Sequence, residues 1–475
     1  MRWPGYSALA ALALGFPLQG AHAQTRLEER YGGELAAPPP PAPANPFALP
    51  TPGAQQRLTY QYAVGSESEF LYRRDPDLNK GTRDNSMILI PQVNGIVTWR
   101  PTNWLETTFE LAIEKEIPLH EEVQVRLPDG TIVREQKRRV SAPVVQAFFT
   151  LRRPGDAFGI SAGRRNYEDE RHWLYDTSMD TAALLFRSGA FRAELSGGRE
   201  VWKDMDLAPA QQQVKDRVNT YMLYADYRGF TSARLAAYSI VRDDRARNEG
   251  RAYLTGVRVL GLPIGEFTYW GDAAILTGRD ETRDEFRGYG VDVGATYRFG
   301  RLPLRPSITL AYAMGSGDEN SRDGVNREFR QTGLQTNEVR FGGVAMFNRY
   351  GEVMAPELSD LKIKTVGLGI RPLPSVSVDL VYHEYKLHRP IDENRMWQLT
   401  ALMNQVAPGT SREVGAALDL VIGMRNLFGI RRLGVDLRIG WFEPGKAFLR
   451  NAGTRTRPDL RNADDAAAVI MKIFM

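Results

Sequence analysis

Gly288-Tyr289-Gly290-Val291-Asp292-Val293-Gly294-Ala295-Thr296-Tyr297-Arg298-Phe299 alternates in character from its first residue to its last. Tyr289, Val291, Val293, Ala295, Tyr297 and Phe299 share one side, and Gly288, Gly290, Asp292, Gly294, Thr296 and Arg298 share the other. Successive side chains of a strand point to opposite faces, so the stretch reads as a strand with one apolar, aromatic face and one small, polar face. A soluble sandwich would turn the apolar face toward a second sheet. A transmembrane barrel turns it to lipid and keeps the polar face for a water-filled lumen.

Working outward, the same texture runs from Leu58 to the end of the chain. Leu89, Val93, Val97 and Trp99 oppose Gln92, Asn94, Thr98 and Arg100; Thr107, Phe109, Leu111 and Ile113 oppose Thr108, Glu110 and Glu114. Helical spacing is nowhere sustained. Eight connectors are tight: Arg100–Trp104, Arg152–Asp156, Arg187–Ala190, Arg228–Ser232, Leu260–Ile264, Arg298–Arg305, Arg371–Ser375 and Phe428–Gly434. Nine are long and charged, near 65–85, 114–141, 166–180, 199–217, 241–251, 277–288, 315–361, 384–414 and 443–466. That alternation predicts an all-β fold, an antiparallel transmembrane β-barrel of about 18 strands, with short periplasmic turns and long extracellular loops. A further hairpin could lie within 315–361. The last strand alternates Val469, Met471, Ile473 and Met475, with Phe474 as the penultimate aromatic.

The 475 residues carry no cysteine, which removes disulfides, thiolate metal sites and cysteine nucleophiles. A net charge of +4 argues against nucleic-acid binding through bulk charge. Of the 61 basic residues, 51 are arginine and 10 lysine, and arginine grips carboxylates and phosphates with a bidentate fork. Arg2, the apolar run Ala8–Phe16 and Ala21-His22-Ala23 form a secretory signal peptide over residues 1–23. Residues 24–55 hold eight prolines between Pro38 and Pro52 and read as a disordered periplasmic linker, leaving 56–475 for the barrel. The mature chain has no apolar run of about 20 residues, so no spanning helix is expected.

Catalytic constellations are absent from the reading. His383 and His388 have one residue too many between them for the helical zinc motif, and they start in a strand. His172, beside Asp169, Glu170 and Arg171, reads as the charged rim of a loop. Gly288-Tyr289-Gly290 is a strand with small lumen-facing residues, and no helix follows to make it a phosphate cradle. What remains is arginine on the inward face. Strand alternation turns Arg100, Arg152, Arg165, Arg192, Arg228, Arg234, Arg298 and Arg438 toward the lumen or its periplasmic mouth. Such a group attracts a polyanion. Pairing with Glu110, Glu194, Asp226, Asp292 or Asp436, or with lipid phosphates, is the alternative for any one of them.

Four stretches then resemble the outer-membrane alginate export porins. They are Gly163-Arg164-Arg165 through Trp173 and Asp176-Thr177; Gly315-Ser316-Gly317 with Phe329-Arg330-Gln331-Thr332-Gly333-Leu334 and Asn337; Arg349-Tyr350-Gly351-Glu352 with Glu357 to Leu361 and Tyr382-His383; and Gly440-Trp441-Phe442-Glu443-Pro444-Gly445. The resemblance implies an eighteen-stranded monomer in the outer membrane, with gating loops and an arginine-lined constriction. Arg164 or Arg165, Arg349 and Arg438 take the family's conduit positions. It implies an acidic polysaccharide as cargo, periplasmic delivery proteins and outer-membrane lipids as partners, and neither cofactor nor catalysis. A diffusion porin importing small anions or sugar acids is the competing reading of the same barrel.

Overall fold

The computed structural model describes residues 59–475 except for 79, 81–84, 122–124, 127–131, 134–139, 200–217, 245–249, 281, 321, 390–405, 409–410 and 452–459. The expected signal peptide (1–23) and linker (24–55) lie outside the described residues. Eighteen antiparallel strands form one closed barrel. The first six are β1 (Thr59–Arg74), β2 (Ser86–Arg100), β3 (Leu105–Lys115), β4 (Val144–Leu151), β5 (Phe158–Glu168) and β6 (Asp176–Ser188). Next come β7 (Phe191–Arg199), β8 (Val218–Tyr227), β9 (Ala233–Asp244), β10 (Arg251–Gly261), β11 (Phe267–Arg279) and β12 (Glu285–Arg298). The last are β13 (Ser307–Gly315), β14 (Leu361–Leu373), β15 (Val376–Leu387), β16 (Glu413–Met424), β17 (Gly434–Pro444) and β18 (Ala466–Phe474). Each pairs with its chain neighbours, and β1 closes the ring on β18, from Glu67 opposite Phe474 to Arg74 opposite Ala467. Closure satisfies every strand edge, which is what lets strands sit in a medium without water.

The polarity of the wall is inverted relative to a soluble protein. On β12, Tyr289, Val293 and Tyr297 are 44%, 41% and 43% exposed, while Asp292 and Thr296 between them are 2% and 1% exposed. The apolar face therefore points out and the polar face in, on the sides that the alternation assigns. Tyr289 and Tyr297 stand eight residues apart, about 26 Å along the strand, of the order of an outer-membrane apolar band. Phe158, Phe191, Tyr227, Phe230, Phe267 and Phe299 stand exposed beside the tight turns and form the girdle at that end.

Six of the eight tight turns fall within two residues of their expected limits; one of the others shrinks to 374–375 as β14 continues to Leu373, and the last lengthens to 425–433 as β16 stops at Met424. Several long connections are shorter than expected because the strands run on, among them 75–85, 169–175 and 280–284. Between β11 and β12 only residues 280–284 intervene, because the Asp280 carboxylate accepts the N–H groups of Thr282 and Asp284 at 2.9 Å each and folds the chain back at once. Residues 316–360 add no barrel hairpin. They hold a small antiparallel pair, Glu338–Val339 with Phe347–Asn348, and the parallel bridge of Val325–Asn326 to the start of β12. Phe474 turns inward, buried, with the Arg425 guanidinium 4.8 Å from its ring centre.

The face assignment predicts the outcome of a charge scan. Val293→Arg puts a guanidinium on the outward face midway between Tyr289 and Tyr297 and should cost about 2–4 kcal/mol of folding free energy in bilayers. Thr150→Arg, on the inward face of β4, should cost under about 1 kcal/mol. Urea titration of the lipid-embedded barrel reads both, and equal costs would reverse the faces.

Candidate functional site

Among the described residues, two connections leave the extracellular end and fold back into the lumen. The shorter is 169–175. Its turn is held by Asp169, whose carboxylate accepts the N–H groups of Leu174 (2.8 Å), Tyr175 (3.0 Å) and Arg171 (3.1 Å). The turn drives Trp173 and Leu174 inward to full burial. The longer, 316–360, traverses the barrel. Near its start Gly317 donates its N–H to His388 Nδ1 (3.2 Å), and farther in Gln331 donates to the Trp173 carbonyl (3.1 Å). At its far tip, Val344 donates its N–H to Ser377 Oγ (2.9 Å), and its carbonyl accepts Arg425 Nη2 (2.6 Å). Ser377 is the second residue of β15 and Arg425 lies in the turn after β16, so the tip has reached the periplasmic end.

The wall is shaped to receive this plug. A Cβ on Gly290 would stand 2.5 Å from the Phe329 ring, and one on Gly288 2.7 Å from the Glu328 carbonyl. The small residues on the inward face of β12 are thus the socket for residues 328–329. Phe329 stacks on Trp173 at 6.3 Å, and Trp173 donates its indole N–H to the Tyr350 hydroxyl at 2.9 Å. Deeper in, Phe341 stacks on Trp270 at 5.7 Å, and Ala345 and Phe347 cover Val381 and Val421.

Between these contacts runs a chain of alternating charges: Asp169, Arg258, Asp272, Arg171, Asp292, Arg349. Arg258 binds Asp169 and donates Nε to Asp272 at 2.6 Å. Arg171 binds Asp272 and reaches Asp292 at 3.1 Å; Arg349 Nη1 reaches the other Asp292 oxygen at 3.2 Å. Asp292 also accepts the Tyr350 hydroxyl (2.7 Å) and the Trp270 indole N–H (2.8 Å). The loops contribute Asp169, Arg171 and Arg349, and the wall contributes Arg258, Asp272 and Asp292. All six are buried. Buried charges persist only when paired, which this chain achieves with no net charge, leaving Arg258 Nη2 and Arg349 Nε without hydrogen-bond partners among the described residues.

The arginines singled out from the sequence divide into four groups. Arg349 and Arg438 are clamps of the plug: Arg349 as above, and Arg438 on β17 at 3.0 Å from Glu338 and 3.5 Å from Glu352. Arg100 and Arg165 face inward and are neutralised, Arg100 by Glu106 (2.7 Å) and Arg165 by Glu194 (2.8 Å). Arg165 also lies over the Tyr167 ring at 4.8 Å. Arg152, Arg192, Arg234 and Arg298 collect at the periplasmic mouth, at or beyond the strand ends, and all four are half-buried. Arg228 is there too, bound to Asp226. Burial, and then the neighbouring Arg187, hold the Arg152 guanidinium below its ordinary range.

Arg164 does not line the lumen. It shares the outward face with Ala147 and Asp180, its partners on β4 and β6, and it donates to the Val144 carbonyl (2.7 Å) and to Asp180 (3.2 Å). The loop rim expected at His172 is also corrected: Asp169 and Arg171 are buried plug residues. His172 binds Asp176 (2.9 Å) and Glu168 (3.2 Å). His383 is a wall residue bonded to Thr365 (2.9 Å), with Asp419 at 3.3 Å, and His388 receives the Gly317 N–H.

Sequence reasoning missed Arg171, Arg258, Asp272 and the whole clamp. A usable signal existed. Asp272 and Asp292 are directly opposite each other on β11 and β12, and like charges in that position repel unless cations bridge them.

The clamp predicts a selective loss. Asp292→Ala leaves Arg171 and Arg349 without their shared carboxylate and should weaken plug docking by about 3–5 kcal/mol. Hydrogen exchange in 316–360 should then rise by orders of magnitude while the heat-modifiable barrel band on gels is unchanged. An unchanged loop would remove the clamp from the account.

The alginate export family matches residues 51–462, from ahead of β1 to the last connection. The alginate production protein AlgE of Azotobacter vinelandii is 28% identical over 140 residues, which is 28% of this chain and 28% of that one. Among solved structures, Pseudomonas aeruginosa OccK2 (OpdF) superimposes with a TM-score of 0.53 at 10% identity, covering 88% of this chain and 97% of that chain. Pseudomonas aeruginosa OpdK, solved with vanillate, gives 0.52 at 11% identity over 88% and 98%. At such identities these two likenesses concern the barrel fold. The family match runs through seventeen of the strands described above and through both infolded loops, and on that ground the chain belongs to the alginate export family.

Proposed function

We propose that this barrel is an outer-membrane channel that exports an anionic exopolysaccharide, alginate or a related polyuronate, and that the structure represents its plugged state. One observation carries the reading. Inward arginines concentrate at the periplasmic mouth, where Arg192 and Arg298 stand half-buried with no carboxylate in ion-pair distance among the described residues and Arg234 reaches only Glu170, at 4.0 Å, whereas Arg165, Arg349 and Arg438 deeper in the lumen are each held by a carboxylate at 3.2 Å or less. A field of that sign at the periplasmic side draws in a polycarboxylate and does little for a neutral glycan. Eighteen strands enclose an interior wide enough for an aqueous path once the plug moves. Family membership and the partial match to AlgE support the uronate class.

The mechanism follows from the pairing. A uronate carboxylate entering from the periplasm meets the mouth arginines first. To pass farther it competes with Glu194 for Arg165, and with Glu338 and Glu352 for Arg438, one exchange at a time. Such exchange lets a polymer slide because each site is left as readily as it is entered. Periplasmic delivery proteins would present the chain to the mouth.

Two predictions follow. In planar bilayers, mannuronate and guluronate oligomers added on the periplasmic side should block single-channel current, and a neutral glucan should not. Replacing Arg192, Arg234 and Arg298 together by Gln should weaken that block at least tenfold and lower anion selectivity. Indifference to the oligomers, with small sugar acids conducting freely, would instead favour a diffusion porin.

Plug docking should also depend on pH. Asp360, the last plug residue before β14, accepts the Arg389 N–H at 2.7 Å. Burial pushes its carboxyl up to about 8, against the opposing effect of that N–H. A folded value above the free one favours the docked plug while the group is protonated, so docking is firmest below about 4 and weakens as pH rises to about 8. Channel openings should become more frequent across that window, and Asp360→Asn should flatten the dependence. A profile with the opposite slope would contradict the assignment.

A further inference from the structure

At the extracellular ends of β9–β12, the outward face carries an open cavity of about 980 Å³ lined by Asp243, Arg251, Tyr253, Arg279, Arg283 and Glu285. Three guanidinium groups meet in it. Arg251 and Arg279 are direct cross-strand partners on β10 and β11, and on their other sides they face Asp243 on β9 and Glu285 on β12. Arg283 adds a third from the short connection between β11 and β12. The two carboxylates of the cavity are already engaged: Asp243 by Arg251 at 3.1 Å, and Glu285 by Arg287 at 3.0 Å. Among the described residues no carboxylate lies within ion-pair distance of Arg279 or Arg283. Arg164 makes the contrast: also outward, it is buried against Asp180 and has nothing to offer a ligand.

The level of the cavity identifies its occupant. Tyr253 lies two residues below Arg251 on the same outward face, about 7 Å nearer the membrane centre along the strand. Tyr289 stands at the corresponding level on β12, two residues below Arg287. Tyrosines at that depth mark the boundary between hydrocarbon and headgroups, so the three arginines sit in the headgroup layer of the outer leaflet. Guanidinium groups bind phosphate through paired N–H donors, and a cavity of this size holds a phosphorylated disaccharide.

We propose that this cavity seats the phosphorylated headgroup of an outer-leaflet glycolipid, with Arg251, Arg279 and Arg283 on the phosphate and Tyr253 against the start of the acyl chains. The site rests on the outer-membrane placement of the barrel and is separate from the lumen. Bound lipid ties the extracellular ends of β10 and β11 to the leaflet.

The test titrates the full-length barrel in micelles with diphosphoryl lipid A, dephosphorylated lipid A, inorganic phosphate and mannuronate oligomers, with bound mass read by native mass spectrometry. Diphosphoryl lipid A should occupy a site that the dephosphorylated form fills at least tenfold more weakly. Arg279→Gln with Arg283→Gln should weaken it by a similar factor, and Arg301→Gln, at the opposite end of the barrel, should not. The heat shift on gels verifies that each variant is folded, and Arg279→Lys with Arg283→Lys, which keeps charge without the fork, should retain part of the affinity. Equal binding of both lipids, or a double Gln variant that binds as well as wild type, overturns the proposal. So does displacement of the lipid by inorganic phosphate or by the oligomers at equal concentration, which would reassign the cavity to free phosphate or to the exported polymer. Failure of the outer-membrane placement would show separately, as failure to insert into bilayers.

Discussion

The structure depends on a single carboxylate at the centre of an ion chain. Asp292 receives two guanidinium groups, an indole and a phenol, and these four donors come from three parts of the chain: Arg171 in the short inward loop, Arg349 and Tyr350 in the long one, and Trp270 on the neighbouring strand. Asp272, beside it on β11, has no such loop-borne neutral donors and is held by Arg171 and Arg258. A lumen is wide and wet by default. The paired chain from Asp169 to Arg349, with the aromatic stacking around it, makes it favourable to fill that space with folded loop. The chain is neutral only while docked: its loop half carries two arginines against one aspartate, so withdrawal leaves the wall's opposed Asp272 and Asp292 with Arg258 alone.

Two solvents act on this wall at once. Lipid requires the outward face to be apolar, which fixes Tyr289, Val293 and Tyr297. The plug requires the inward face to be polar where it clamps and small where it packs, which fixes Asp292 and Gly290 on the same strand. The exposed apolar surface and the buried charges are therefore one arrangement seen from its two sides. At the periplasmic mouth the plug's Glu170 reaches Arg228 at 3.7 Å and Arg234 at 4.0 Å, but no plug residue neutralises Arg192 or Arg298 by an ion pair among the described residues. Charge left over there is available to cargo.

Much of this was legible without coordinates. The period-two pattern of Gly288–Phe299 places every residue of that stretch on its observed face, and the alternation of short and long connections yields the strand count and the orientation. Glu194 and Asp226, which pair with Arg165 and Arg228, were among the carboxylates that the sequence offered as partners for the inward arginines. What escaped is the interior. A charged stretch such as Asp169-Glu170-Arg171-His172 reads as solvated rim, because isolated charges are rarely buried. Inside a barrel the partner charges come from strands far away in sequence: Asp292 lies 121 residues from Arg171, and no local pattern links them. Arg164 and Arg165 could not be separated for a different reason. Their faces hang on the register of β5, where Gly163 at φ 122° lies against the backbone of β4, and a slip of one residue exchanges the two.

The central claim is that residues 316–360 must leave the periplasmic end of the lumen before cargo can pass. A chain with no native cysteine allows a direct test. A Cβ on Gly343 would lie 2.7 Å from Ser377 Oγ, close enough for a disulfide between Gly343→Cys and Ser377→Cys once the Asp379 carboxylate, which crowds that Cβ, turns aside. Uronate passage through the oxidised and the reduced double variant, reconstituted in the same bilayer, is the decisive comparison. The account predicts no passage while the tip is tethered and restored passage on reduction. Equal passage in both states would contradict it, and would leave the infolded loop as a fixed part of the wall.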